Sequence, residues 1–156
     1  MKATSYLPCE QTPHSASGRF TLAHHQRHLR RKLLVLPDGE EVLVDFPVAV
    51  VLQDGDALVL EDGRLIAIEA APEDLYEVAG RDARHFARLC WHIGNRHLPA
   101  QIEAERLLIE QDHVIRHMLE GLGATVRQVR LPFAPEQGAY HGHSHSQGEG
   151  HSHAHG

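Results

Sequence analysis

The sequence predicts an α+β protein: a small all-β N-terminal domain, a ferredoxin-like βαββαβ domain and a disordered histidine-rich tail. Three observations carry this. Short apolar runs broken by Asp-Gly turns fill residues 31–69, two stretches with helical spacing alternate with strand-like runs over 75–131, and the composition after residue 140 reduces to small, polar and histidine residues. The expected divisions are 1–72, 73–135 and 136–156.

Residues 1–18 show no hydrophobic period and are expected to be loose. The runs Arg31–Leu36, Glu41–Phe46, Val48–Leu52, Ala57–Leu60 and Arg64–Glu69 are separated by Pro37-Asp38-Gly39, Asp54-Gly55-Asp56 and Glu61-Asp62-Gly63. Asp-Gly between leucine-rich and β-branched runs is a hairpin signal, because glycine accepts the positive φ of tight turns. Ala70-Ala71-Pro72 marks the domain boundary.

The second half changes period. Leu75–Ala79 reads as a strand. Over Arg81–Ile93, Phe86, Leu89, Cys90 and Ile93 fall on one helical face, with Ala83 beside them. His85, Trp91 and His92 lie off that face, where solvent is the ordinary surrounding. Gly94-Asn95 is expected to stop the helix, since both residues tolerate the left-handed conformation. Pro99–Glu103 and Arg106–Glu110 read as two strands. Asp112–Leu122 reads as a second helix capped by Asp112, with Val114, Ile115, Met118, Leu119 and Leu122 as its apolar side. Ala124–Leu131 is the last strand. Two helices over one face of a four-stranded sheet is the ferredoxin-like solution to this order.

The 156 residues are 42% apolar and only 5% aromatic, so the core must be built from Leu, Val, Ile and Ala. The formal charge is -6 and the longest basic run is Arg30-Arg31-Lys32, which argues against nucleic acid as a partner. No apolar run reaches the roughly 18 residues of a membrane span. Cys9 and Cys90 form no CxxC pair or disulfide framework, so a reducing, cytoplasmic setting is expected.

Fifteen histidines are the unusual feature. In the tail, His141, His143 and His145, and then His151, His153 and His155, alternate with small residues. In an extended chain residues two apart project to the same side, so each triplet offers convergent imidazoles. Neutral imidazole suits nickel, copper and zinc, and protons compete below about pH 6. A purification tag is the other explanation, but tags are usually uninterrupted. His97 lies just past the first helix, where the partial negative charge of the helix end favours a cation. One imidazole is not a site; a symmetric dimer would supply a second, and a tail histidine a third. On composition alone, an ordinary surface histidine in a turn is the favoured explanation of His97, and its position does not overturn that. His113 and His117 are four apart on the exposed side of the second helix, a chelating spacing, although an ordinary polar face is the commoner explanation. His24, His25 and His28 flank a strand and offer no convincing site. Cys90 is expected to be a buried, inert thiol. Trp91 suits contact with another subunit, or packing under a loop.

No catalytic signature is present: neither GxxxxGK[ST], HExxH nor GxSxG occurs. The specific match lies elsewhere. The chain carries Leu52-Gln-Asp-Gly-Asp-Ala-Leu-Val-Leu60, His92-Ile-Gly-Asn-Arg-His97-Leu-Pro-Ala-Gln-Ile102, Asp112-His113-Val114 with Met118-Leu119, Gly123-Ala-Thr-Val126 and Leu131-Pro-Phe-Ala-Pro-Glu-Gln-Gly-Ala-Tyr140. On these segments it resembles the UreE family of urease accessory proteins, nickel metallochaperones and not enzymes. The resemblance implies a peptide-binding-like β-domain and a ferredoxin-like domain through which the family dimerises. It implies nickel held by His97 of both subunits and completed by tail histidines, with zinc or copper accepted in vitro. It implies delivery to apo-urease through the GTPase UreG. Some members have His-x-His where this chain has Gln111-Asp112-His113, so His113 alone matches a second folded-domain ligand. A nickel or zinc storage protein acting through its tail is the alternative.

Overall fold

A computed structural model describes residues 1–13 and 15–138. The first half is a six-stranded sheet of β1 (Lys2–Leu7), β2 (Gly18–Leu22), β3 (His28–Val35), β4 (Glu41–Val51), β5 (Ala57–Leu60) and β6 (Leu65–Ala70), in the order β2-β6-β5-β1-β4-β3. Strand alternation sends Val42, Val44 and Phe46 of β4 inward to meet Phe20, Leu29, Leu58, Ile66 and Ile68 in one core. Hairpins join β3 to β4 and β5 to β6 across the expected turns, with Gly39 at φ 92° and Gly63 at φ 90°.

Three expectations change here. Residues 2–7 are not loose. They form β1, which lies between β4 and β5 and pairs with both. Its only fully inward side chain is Ala3, a residue too small to register as a hydrophobic period. Because β1 separates β4 from β5, Asp54-Gly55-Asp56 is a crossing loop and not a hairpin turn. The Asp56 carboxylate closes that loop by accepting the N–H groups of Gln53 (2.8 Å) and Cys9 (2.9 Å), and burial pushes its pKa up. Finally, the expected runs Glu41–Phe46 and Val48–Leu52 merge into one strand, β4, which ends at Val51. The β3–β4 register slips between Leu29 and Arg31, so Pro47 falls in the bulge, where no ladder donor is needed.

The chain changes sheets between β6 and β7 (Pro72–Ala79). It continues as α1 (Ala83–Asn95), β8 (Ala100–Ile102), β9 (Leu107–Glu110), α2 (His113–Gly121) and β10 (Thr125–Pro132). The second sheet is antiparallel in the order β10-β7-β9-β8, the expected βαββαβ arrangement. One face carries Tyr76, Val78, Leu107, Ile109 and Val126, and α1 and α2 cover it with Leu89, Ile93 and Leu119. The opposite face buries Leu75 and Leu108 against Phe133.

Asp82 starts α1 by accepting the His85 N–H at 2.8 Å, so the helix begins two residues later than its apolar spacing suggests. Asp112 caps α2 as expected, accepting from Val114 and Ile115. His85 is buried rather than solvated. Its Nδ1 accepts the Arg81 N–H at 2.9 Å and its Nε2 bonds the Leu122 carbonyl at 2.8 Å. The residues before α1 and after α2 fold over it, which helical spacing within α1 does not reveal. Cys90 is half-buried with its thiol pKa raised by burial, and Trp91 is 64% exposed. Among the described residues no helix is long and apolar enough to cross a membrane.

The two sheets meet through Arg27, which is 1% exposed. It donates to the carbonyls of Leu22 and Leu52 in the first domain and of Phe133 in the second. Glu73, Asp54 and Asp56 supply the compensating negative charge.

Candidate metal centre

Gly94 and Asn95 do not stop α1; both are helical. The left-handed residue is His97, at φ 59°, and among the described residues it alone has positive φ without being glycine. The Leu98 N–H donates to the Ile93 carbonyl (3.4 Å) and the His97 N–H to the Gly94 carbonyl (3.0 Å). That pair of bonds is the Schellman closure, in which the residue after the cap is normally glycine. Leu98 packs into the same apolar cluster as Ile93, the hydrophobic contact that accompanies this closure. The consequence is an exposed imidazole fixed at the negative end of α1.

α2 closes in the same way with glycine. The Ala124 N–H reaches the Leu119 carbonyl and the Gly123 N–H the Glu120 carbonyl, each at 3.0 Å, and Gly123 has φ 92°.

The remaining sequence candidates are dispersed. His113 and His117 are exposed on α2, His113 at its first turn. Gln111 uses its amide to donate to the Leu75 carbonyl at 3.1 Å, so that position serves the sheet. His92 is half-buried, edge-on to Trp91 with ring centroids 5.1 Å apart. His141, His143, His145, His151, His153 and His155, and the expected disorder of the tail, lie outside the described residues.

Among the described residues, one group of three brings metal-ligating atoms within 4.8 Å of one another, and it contains neither His97 nor His113. It is His24, His25 and Glu110. Sequence reasoning dismissed both histidines, because the group exists only where the two domains meet. Strand alternation builds its floor. Glu110 pairs with Leu75 across β9 and β7, and Glu73, two residues before Leu75, shares that face. The 3-10 turn His24–Arg27 sits over this face. Glu73 accepts the His24 backbone N–H at 2.8 Å and bonds His24 Nδ1 at 2.9 Å, while His25 Nε2 lies 3.0 Å from Glu110. His24 is 5% exposed and packs edge-on against Phe133 at 4.8 Å.

Comparison with known proteins agrees with both halves of this architecture. The N-terminal domain model of the UreE urease accessory protein matches residues 3–71, and its C-terminal domain model matches residues 73–156. The urease accessory protein UreE of Agrobacterium fabrum is 56% identical over 143 residues, covering 92% of this chain and 89% of that protein. That of Rhizobium rhizogenes is 56% identical over 142 residues, 91% of this chain and 85% of that protein. That of Brucella anthropi is 60% identical over 126 residues, 81% of this chain and 74% of that protein. Matches that span both domains, with relatives more than half identical over most of the chain, lead to one assignment: the chain belongs to the UreE family of urease accessory proteins, which are accessory chaperones and not enzymes.

Proposed function

We propose that this protein is a nickel metallochaperone for urease assembly, acting as a cytoplasmic homodimer. His97 of each subunit holds one nickel ion between them, and histidines of the tail segment add exchangeable ligands. His113 is a further ligand on the folded domain. The loaded dimer passes nickel to apo-urease through UreG.

The observation that carries this reading is the backbone of His97. Its left-handed conformation costs a non-glycine residue about 1 kcal/mol, and α2 shows that glycine serves the same closure. A histidine kept at such a position, exposed and at the negative end of a helix, is explained by its side chain. Family membership supports the urease role. The exposed Trp91, near the end of α1 and six residues before His97, supports a partner covering that end of the helix. A few imidazoles make a site that binds a borderline metal yet releases it, where a closed thiolate shell would retain it.

Calorimetric titration with nickel separates this reading from storage. The full chain should show one tight ion per dimer, which survives removal of residues 141–156 and disappears in His97→Ala. If His97→Ala retains the tight site while tail removal abolishes all binding, the storage reading replaces this one.

A further inference from the structure

We infer that His24, His25 and Glu110 form a second, separate binding site for a borderline divalent cation, one that ties the two domains of a single chain together. The site is independent of His97 and of the tail. Two ligands come from the turn preceding β3 and one from the end of β9, so the ion would bridge the domains.

The argument starts from His24. Its ring is buried, and Nδ1 is committed to Glu73 at 2.9 Å. When a carboxylate accepts from Nδ1–H, the neutral imidazole carries its free lone pair on Nε2. Among the described residues, His24 Nε2 is a buried polar atom with no hydrogen-bond partner. Such an atom costs free energy if left bare. It faces Glu110 Oε2 at 3.8 Å, beyond hydrogen-bonding distance. The gap is the one a metal fills: tetrahedral ligands at about 2.0–2.1 Å from zinc stand about 3.3 Å from each other. Glu110 Oε2 also lies 3.0 Å from His25 Nε2, and the rings of His24 and His25 are close, tilted by 39° with centroids 3.8 Å apart. Two imidazoles and a carboxylate, with solvent in the fourth position, are a donor set for zinc, nickel or copper and unsuited to magnesium or calcium.

Glu73 completes the design. A carboxylate behind a ligating histidine fixes its tautomer and raises its basicity, a recurrent arrangement behind metal ligands. The ion has a route in, because the His25 side chain is 71% exposed and that of Glu110 41% exposed. A bound ion would strengthen the junction that Arg27 already holds.

Zinc is the probe. Crystals of the full chain grown with zinc should give an anomalous peak within about 2.0–2.2 Å of His24 Nε2, His25 Nε2 and a Glu110 oxygen. In solution, the full chain carrying His25→Gln and Glu110→Gln should bind one zinc fewer per chain in equilibrium dialysis. Both substituted side chains reach solvent, so folding is preserved and circular dichroism checks it. Amide exchange over residues 22–28 should slow with zinc in the parent and not in the double variant. The competing arrangement is a doubly protonated His24 held between Glu73 and Glu110. Ring nitrogen shifts showing both His24 nitrogens protonated in the metal-free protein at neutral pH overturn the inference. So does an unchanged zinc count in the double variant.

Discussion

His97 stands in the closure of α1 where Gly123 stands in the closure of α2. Both residues have positive φ and both donate to the carbonyl three residues back, at 3.0 Å. The structural requirement is therefore glycine-like, and histidine meets it at a cost. His97→Gly should leave thermal stability unchanged or raise it by up to about 1 kcal/mol, while the tight nickel site is lost. His97→Ala should lose the metal as well and gain no stability, since alanine keeps the strain. Thermal unfolding and nickel titration on the same two variants check this; a clear fall in stability for His97→Gly would show that the ring packs rather than binds.

Arg27 should be the most costly single side chain at the domain junction. Replacing it with methionine fills much of its volume but removes the side-chain donor to the Leu52 and Phe133 carbonyls, leaves the Leu22 carbonyl only the Ala71 N–H, and leaves the negative charge of Glu73, Asp54 and Asp56 uncompensated. Buried charged hydrogen bonds lost in this way cost about 2–4 kcal/mol. Urea unfolding of Arg27→Met measures the loss, and amide exchange around Phe133 should accelerate if the contact joins the domains.

Gly80 lies where β7 turns into α1, and the first residues of the helix pass directly over it. A Cβ there would stand 2.7 Å from the Phe86 nitrogen and 2.9 Å from its Cα. Backbone cannot move aside as a flexible side chain can, so Gly80→Ala should destabilise the second domain by about 1–3 kcal/mol. Gly94→Ala is the control. Nothing stands near its added Cβ, and helix propensity favours the change.

The second domain was the more legible of the two. Its helices announce themselves through Leu89, Ile93 and Leu119 at helical spacing, and Asp112 as a cap. The first domain hid its central strand, because β1 presents one alanine to the core and takes its place through pairing with β4 and β5, far away in sequence. Pro47 suggested a strand break that a bulge absorbs. His97 could be located from sequence as a residue beyond a helix end, but its left-handed backbone could not, since Gly94 and Asn95 are the residues with that propensity. The His24–Glu73–Glu110 arrangement had no sequence signal at all. It depends on which face of β7 and β9 the β-domain covers, a property of docking and not of any local period. His85 failed for the same reason on a smaller scale, being covered by Arg81 and Leu122 from outside its own helix.

Glu77 links β7 to β10 and to the loop before β9, and should make the second domain acid-sensitive. Its carboxylate accepts from Arg106 at 2.6 Å and from Arg127 at 2.9 Å. The Arg106 hydrogen bond, aided by Arg127, holds the carboxyl below the usual glutamate range against the opposing effect of burial. A carboxyl that holds its proton less tightly in the folded than in the unfolded chain contributes stability above its unfolded pKa, about 4.3. That contribution is lost as the pH falls through the lower folded value. Glu77→Gln removes the titrating group, so stability plotted against pH should flatten between about pH 5 and pH 3. Glu40, held down chiefly by its hydrogen bond to Arg64, acts in the same direction in the first domain. The acid limb should therefore flatten without vanishing in Glu77→Gln, and flatten further when Glu40→Gln is added. Urea unfolding across that range measures both steps; an acid limb as steep in Glu77→Gln as in the parent would mean that the Glu77–Arg106 pair does not couple folding to protonation.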